Sequence, residues 1–276
     1  FKYNWADYAI KDGFITGNGN IDSLHLKLEA SQFNLTDSFS FTKPVIQIHS
    51  SKDNSLVTVN ANSESALERI AFKGTVHTYN DGLSINWHPS YFLLNHKKWD
   101  IDDKGMLSIR ESNTSATNLR FSQGIQEFIF SNSSIANNAL QLELKNVILG
   151  DITKLFFSYP RLEAITNGKI QLKNILKDFE MKASLNLDQF AFNNDSLGIM
   201  QLNASYQHSK GIVPFDFTSP NTEYNLSAAG AYNINDSINP LDATLFLKHS
   251  KFSLVQQFIG GVLTNLDGKA NGTIHF

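Results

Sequence analysis

Apolar and polar residues alternate with a period of two along most of this chain. The clearest runs occupy residues 24–30, 140–144 and 179–187, where every second side chain is apolar. Because successive side chains of a strand point to opposite sides, this alternation predicts β-strands with one dry and one wet face. Parallel sheets covered on both faces would show continuous apolar runs instead, so we expect an antiparallel or meandering sheet with one face in water.

Turn signals separate the alternating runs. Asp-Gly and Asn-Gly pairs supply the positive φ that tight hairpins need. They occur at residues 12–13, 81–82, 167–168, 267–268 and 271–272. The 6 prolines lie at the ends of runs, where a missing N–H does no harm. Since nothing interrupts the series like a linker, we predict a single segment over residues 1–276, within which 1–150 and 151–276 could form sub-blocks.

Two segments break the period of two and predict short helices. Residues 250–263 place apolar side chains at helical spacing after a serine that could cap the helix. Residues 151–157 predict one or two further helical turns that end near Pro160. Each segment lies between blocks of strands, so we expect the helices to cap one end of an apolar face.

A long series of one-sided strands restricts the architecture. The pattern predicts about 15 to 18 strands, which at roughly 4.8 Å per strand would form a sheet on the order of 70–80 Å across. Such a sheet must close, fold into a sandwich or curve around its apolar face. The strands are shorter and the turns less regular than in an outer-membrane barrel. We therefore predict an all-β protein whose elongated, curved sheet forms a groove with an apolar interior; a closed β-sandwich core is the alternative.

The apolar phase of the strands identifies the residues expected to line that groove. An interior of aliphatic side chains without a placed charge would bind acyl chains with little specificity, and each buried methylene would contribute about 0.8 kcal/mol. The predicted groove residues are Leu26, Leu28, Val57, Val59, Ile85, Trp87, Leu142, Leu144, Ile170, Leu172, Met181, Leu185, Leu187, Leu202, Leu226, Leu245 and Leu247.

Composition and charge narrow the function classes. Charged residues make up 18% of the chain, below the roughly 25% of an average soluble domain, and Ser, Asn and Thr supply the wet faces instead. The formal net charge of -3 argues against a nucleic-acid partner. Cysteine is absent, which excludes thiol chemistry. The 8 histidines are scattered singly and no catalytic motif occurs, so we expect no enzyme, no metal site and no cofactor.

One loop partly matches a calcium-binding motif. Residues 100–111 carry acidic side chains at positions one, three and twelve and a glycine at position six, as in an EF-hand loop. Position five, which normally supplies an oxygen ligand, is Lys104, whose ammonium group would repel calcium. The flanking residues follow strand patterns, so we interpret this segment as a hairpin turn.

Several segments resemble a known family. Residues 90–101, the Gly-Lys-Ile-Gln-Leu step at 168–172, residues 196–206 and the run 266–274 look like the repeats of TamB-type translocation and assembly proteins, relatives of the AsmA group. The resemblance covers most of residues 80–276 and is weaker over the preceding part of the chain. Order and spacing carry it, and the Asn-rich composition is similar to versions from Bacteroidetes.

The resemblance implies a location and a role. The family has an N-terminal inner-membrane anchor, a long periplasmic β-taco and a C-terminal region that meets an outer-membrane barrel of the TamA/BamA type. It implies transport of phospholipid along the apolar interior, or help in assembling outer-membrane proteins. This chain is without the anchor and much shorter than family members, so we expect an internal segment of the periplasmic body in the cell envelope. A surface adhesin or glycan-binding β-protein, favoured by the Asn, Ser and aromatic content, is a further alternative.

Overall fold

The computed structural model divides the chain into two compact units. Unit 1 comprises Phe1–Leu140 and Asp151–Phe157, and unit 2 comprises Gln141–Gly150 and Ser158–Phe276. Strands dominate both units and pair antiparallel, which confirms the all-β, antiparallel fold class. The described residues are 3–5, 8–36, 39–111, 113–134, 138–155, 159–175, 178–193, 195–220, 225–251 and 268–275.

The strands of unit 1 are long at its centre and short at its flanks. The three central strands, β6, β7 and β8, contain 13, 9 and 13 residues. In chain order the strands are β1 Tyr3–Trp5, β2 Tyr8–Lys11, β3 Phe14–Gly19, β4 Ser23–Glu29, β5 Gln32–Thr36, β6 Phe39–Ser51, β7 Asn54–Asn62, β8 Leu67–Tyr79, β9 Gly82–Trp87, β10 Ser90–Leu94, β11 Lys97–Ile101, β12 Met106–Arg110, β13 Thr114–Thr117, β14 Leu119–Gln123 and β15 Gln126–Asn132. They are followed by β16 Ala139–Ile148 and by a short helix, α1 Leu149–Thr153.

Both flanks of this centre divide into two branches. β6 pairs through its first residues with β5 and through its later residues with β4, and these continue to β2 and β3 respectively. On the other side, β8 pairs with β10 and with β9 along different parts of its length. β10 leads to β11, β14 and β15, whereas β9 leads to β12 and β13. Each of these long strands therefore supports two shorter strands along one edge.

Hydrogen bonds close the gap where β9 and β10 diverge. The backbone N–H of Lys73 donates to the hydroxyl of Ser90 over 2.8 Å, and that hydroxyl donates to the carbonyl of Lys73 over 3.0 Å. The N–H of His88 donates to the same carbonyl over 2.9 Å. Because Ser90 is buried, its hydroxyl satisfies backbone groups that the fork would otherwise leave without partners.

A proline marks the fork on the opposite flank. The pairing of β6 with β7 shifts register between Thr42 and Val45, and Lys43 has a positive φ of 46°. Pro44 has no N–H to leave unpaired at this break, and its carbonyl accepts from the N–H of Ala30 over 3.2 Å. The break therefore leaves few backbone groups without partners.

Unit 2 contains a meander of long strands. Each strand from β17 to β23 pairs with the next along the chain. The strands are β17 Leu162–Lys173, β18 Glu180–Phe192, β19 Asp195–Gln207, β20 Ile212–Thr218, β21 Asn225–Asn233, β22 Leu241–Lys251 and β23 Lys269–His275.

Register shifts gather at one end of this meander, which we call the bulged end. They lie between residues 163 and 165 in β17, between 187 and 191 in β18 and between 247 and 250 in β22. Bulges bend a strand and increase its local twist. The buried apolar cluster of unit 2 is concentrated at this end. It consists of Ala164, Leu187, Phe190, Leu197, Met200, Leu226, Leu245, Leu247 and Ala270.

The elements differ from the sequence prediction in number and in detail. The described residues form 23 strands, more than the predicted number, partly because turns at Asn95 and Asn118 adopt positive φ without a Gly or Pro signal. A short helix near residue 151 is confirmed, although α1 begins at Leu149. Of the helix predicted over 250–263, the first two residues belong to β22, and the others lie outside the described residues.

The EF-hand-like segment is a turn that links two branches of unit 1. Within this turn, the backbone N–H of Lys104 donates to the carboxylate of Asp102 over 2.9 Å. The flanks are strands, as predicted, but β11 pairs with β10 and β14 whereas β12 pairs with β9 and β13. The prediction of a hairpin is therefore wrong: the turn carries the chain from one branch to the other.

Candidate apolar groove

The predicted groove residues of unit 1 lie on one face of its sheet. Leu26 of β4 lies opposite Ile48 of β6, which lies opposite Val57 of β7. The row continues through Gly74 of β8 to Trp87 of β9. Directly opposed residues of antiparallel strands point to the same side of the sheet. This row therefore forms a continuous apolar strip from β4 to β9.

A second strip runs beside the first. Leu28 and Ile46 are opposed across β4 and β6, and Val59 and Phe72 extend this row across β7 and β8. The ring of Phe72 contacts that of Trp87 edge to face, with centroids 5.7 Å apart. Such aromatic pairs add stabilisation beyond the area they bury, so this contact joins the two strips.

A third strip completes the apolar face of unit 1. Val76 of β8 lies opposite Ile85 of β9, which lies opposite Leu107 of β12. All members of the predicted set in unit 1 consequently share one face.

Sequence reasoning missed several residues of this face. They are Ile46, Ile48, Phe72, Val76 and Leu107. Within residues 45–48 and 70–72, neighbouring positions are also apolar, so alternation alone does not identify the inward phase. Pairing with a clearly alternating strand such as β4 or β7 is the signal that assigns them.

The apolar face of unit 1 is open along these strips. The predicted residues there are all half-buried: Leu26, Leu28, Val57, Val59, Ile85 and Trp87. A closed sandwich would bury such side chains almost completely. Their partial exposure therefore favours an open groove over a sandwich core in this unit.

The same face ends in a closed corner, formed by Phe92, Trp99, Phe128, Lys97 and Asp151. Trp99 is fully buried, with its ring stacked on Phe92 at 5.9 Å and tilted against Phe128 at 5.0 Å between centroids. The Nζ of Lys97 lies 2.6 Å from the carboxylate of Asp151 in α1, whose side chain is 8% exposed. Aromatic packing and an ion pair thus seal one part of a face that is otherwise open.

In unit 2 the predicted residues also share one face. Leu185, Leu202 and Phe217 are opposed across β18, β19 and β20. Ala228 and Leu245 extend the row across β21 and β22. This central strip has the same character as the strips of unit 1, although its far end at Leu245 is buried.

Burial falls along the strands from the bulged end to the opposite end of unit 2. At the bulged end, Met200 is fully buried and Leu187 is 2% exposed, while Leu226 lies opposite Leu247 and both are buried. At the opposite end, Leu172, paired with Met181, is half-buried. The face is therefore sealed at one end and open at the other.

Small residues make a shallow layer between these ends. Ile170 lies opposite Ala183, which lies opposite Ala204, and the row continues through Phe215 to Gly230. A Cβ on Gly230 would lie 2.3 Å from the carbonyl oxygen of residue 242, so only glycine permits this close approach of β21 and β22. Short side chains leave room above this part of the face.

Two predicted residues lie on β16. Leu142 is half-buried and Leu144 is buried. They are two positions apart, so they point to the same side of their strand.

The strips contain no placed charge. Every residue named in them is apolar or glycine. Three buried polar atoms on these faces, Nε1 of Trp87, Nε1 of Trp99 and Oγ1 of Thr166, have no hydrogen-bond partner, and Thr166 lies opposite Leu187. The arrangement can hold hydrocarbon through nonspecific contact, and it presents no acid–base pair to a ligand.

Charged and polar side chains with defined partners lie elsewhere. The guanidinium of Arg110 donates to Asp81 over 2.7 Å and holds the pKa of that carboxyl below its ordinary value. In unit 2, Asp178 accepts from the side-chain amide of Gln207 at 2.8 Å and from the N–H and hydroxyl of Ser209 at 2.8 and 2.9 Å. These bonds, that of Gln207 first, lower the pKa of Asp178.

These features define an all-β protein whose antiparallel sheets carry a one-sided, partly open apolar face. No protein-family model matches the chain, and no curated protein or solved structure matches it significantly. Within the described residues, no helix has the length and apolar character needed to cross a bilayer.

Proposed function

We propose that this protein carries phospholipid, or another lipid with acyl chains, along an apolar groove between the inner and outer membranes of a cell envelope. The observation that carries the proposal is the open apolar face: in both units, uncharged strips cross the strands in register, and much of each strip is half-buried. The periplasmic location, the inner-membrane anchor and a TamA/BamA-type partner rest on the resemblance to TamB-type proteins and belong to the same proposal.

The physical argument concerns affinity and sliding. A buried methylene contributes about 0.8 kcal/mol, so a long acyl chain gains substantial binding energy from an apolar strip. No charged group lies in the strips to fix one position, and each methylene that leaves one contact enters another. The groove would therefore retain lipid while allowing it to move, as transport requires.

Photocrosslinking tests this proposal at neighbouring positions that differ in face. A photoreactive amino acid replaces Val59 or Leu185 on the apolar face, and Asn60 or Asn186 on the exposed polar face. After irradiation in cells, mass spectrometry of the full-length protein should find lipid adducts at the two apolar positions and few at the polar ones. Equal capture on both faces would contradict lipid transport through the groove.

A second candidate is a scaffold that helps outer-membrane proteins to assemble. The observation that favours it is β3, which among the described strand pairings has one partner, β4, and whose residues are all exposed. An unpaired strand edge can accept an extended peptide through backbone hydrogen bonds. In that case a crosslinker at Ile15 would capture polypeptide, and proline at Thr16 would abolish capture. The adhesin or glycan-binding alternative rests on composition alone.

A further inference from the structure

Two histidines that are far apart in sequence meet on the polar face of unit 1. His25 of β4 lies directly opposite His49 of β6. Their Nδ1 atoms are 2.7 Å apart, and the two rings are nearly perpendicular with centroids separated by 4.6 Å. Both residues are exposed, so this histidine pair is open to small solutes.

The contact requires the two Nδ1 atoms to differ in protonation. A neutral imidazole carries one N–H and one lone pair, so an Nδ1–Nδ1 hydrogen bond forms only when one of these atoms has the proton and the other has the lone pair. If that proton leaves, for instance by moving to Nε2, both Nδ1 lone pairs point into the same small volume. Two converging imidazole nitrogens are the donor set that Zn²⁺, Cu²⁺ and Ni²⁺ favour.

The surroundings can accept an ion. The histidine pair borders an open cavity of about 340 Å³ that Thr16, Asn18 and Gln47 also line. Lys27 is the cation beside it, and its Nζ is held 2.9 Å from the carboxylate of Glu29. This ion pair reduces the repulsion that the ammonium would exert on a bound metal.

We propose that the histidine pair binds a divalent late transition metal, with Cu²⁺ bound more tightly than Zn²⁺ or Ni²⁺. Metal–nitrogen bonds of about 2.0 Å place two nitrogens roughly 2.8 to 3.3 Å apart, depending on the bond angle. The two Nδ1 atoms need to separate by only a few tenths of an ångström from 2.7 Å to reach this range, and each exposed ring must also rotate so that its lone pair points at the ion. Among the described residues no group of three metal-ligating side chains occurs, so water and the amide oxygens of Asn18 or Gln47 complete the coordination.

This inference is independent of lipid transport. It departs from the expectation, drawn from the sequence, that the chain has no metal site. The residues are 24 positions apart, and only the register of β4 with β6 brings them together. The preference for Cu²⁺ follows from the Irving–Williams order and from the right-angled geometry of Cu²⁺, whose nitrogen separation is closest to the distance found here.

The test compares three variants of the purified 276-residue chain. His25→Gln and His49→Gln each remove one ligand, and His77→Gln is the control, because His77 is a single histidine hydrogen-bonded to Asn54 at 2.9 Å. Titration calorimetry with CuCl₂ and with ZnCl₂ measures affinity, and electron paramagnetic resonance of the Cu²⁺ form counts the nitrogen ligands. Circular dichroism checks that each variant is folded.

We expect one saturable site with two nitrogen ligands in the unmodified chain and in His77→Gln. Either variant of the pair should bind Cu²⁺ at least about tenfold more weakly, since each leaves a single imidazole. A chain that binds neither metal, or a His49→Gln variant with unchanged affinity, would overturn the proposal and leave the pair as a hydrogen bond only.

Discussion

The two units build the same kind of apolar face but seal it differently. In unit 2, burial declines along the strands, from Met200 and Leu187 at the bulged end to half-buried Met181 at the other. In unit 1, the side chains of the strips between β4 and β9 are half-buried, with only Gly74 buried among these residues, and sealing is confined to the corner around Trp99 and Asp151. Unit 2 closes its face with bulges and a mostly aliphatic cluster, whereas unit 1 uses stacked aromatic rings and an ion pair.

The difference shows that one-sided alternation does not determine whether a face is a core or a groove. Both faces have the same sequence pattern. Bulges bend the strands of unit 2 at one end and bring side chains of several strands together there. Where the strands stay regular, the same side chains remain partly open to a ligand.

The largest expected effect concerns the sealed end of unit 2. Met200→Ala should lower the free energy of unfolding by about 2–5 kcal/mol, because it leaves a cavity in a fully packed cluster. Met181→Ala removes the same atoms from the open end of the same face and should lower the free energy of unfolding clearly less. Urea denaturation, with hydrogen exchange to locate the affected strands, measures both; equal losses would mean that the face is packed evenly.

The closed corner of unit 1 should respond to loss of its ion pair. Asp151→Ala removes a buried carboxylate and should destabilise unit 1 by about 1–3 kcal/mol. This cost is smaller than that of breaking a fully buried ion pair, because Lys97 is 35% exposed. The matched control is Asp100→Ala. Asp100 is 60% exposed and forms an ion pair with Lys98, which is 54% exposed. That variant should change stability by at most about 1 kcal/mol. Thermal and urea unfolding distinguish the two, and a similar cost for both would argue against a sealed corner.

Ligand binding should depend on which face carries a charge. Leu202→Lys and Val57→Lys place an ammonium group on the apolar strips and should weaken binding of a fluorescent fatty acid on the order of tenfold, because burying the charge beside hydrocarbon is costly. Asn203→Lys and Thr58→Lys add the same group to the polar face and should leave binding unchanged. Fluorescence titration measures affinity, and circular dichroism monitors folding. If lysine weakened fatty-acid binding equally on both faces, the ligand would not bind in the groove.

The smallest expected effect is a pH dependence at the open end of unit 2. The pKa of Asp178 is lowered from its ordinary value of 3.8, chiefly by the hydrogen bond from Gln207. A folded-state pKa below the unfolded value adds stability above the unfolded pKa, and this contribution is lost as the pH falls through the folded pKa. Asp178→Asn should therefore lower the melting temperature slightly at pH 7, and this difference should disappear as the pH falls through the lowered folded-state pKa. If the difference in melting temperature between the variant and the unmodified chain persisted in acid, its cause would be packing and not the charge of Asp178.

Much of the candidate groove could be predicted because strand geometry has a period of two. Once residues 179–187 are assigned to a strand, Met181, Leu185 and Leu187 must share a face until a bulge intervenes. The prediction failed for Ile46 and Phe72, where adjacent apolar residues make both phases plausible. Local pattern is insufficient there, since pairing with a neighbouring strand decides the phase.

By itself, the sequence determined the all-β class, the antiparallel tendency and the separation of dry and wet phases, because these follow from side-chain spacing within one strand. Only the tertiary structure decided which strands are neighbours, where β6 and β8 fork, and where the apolar face is sealed. It also placed His25 opposite His49. The physical reason is that strand register depends on hydrogen bonds between residues far apart in the chain, and alternation within a strand carries no information about its partner.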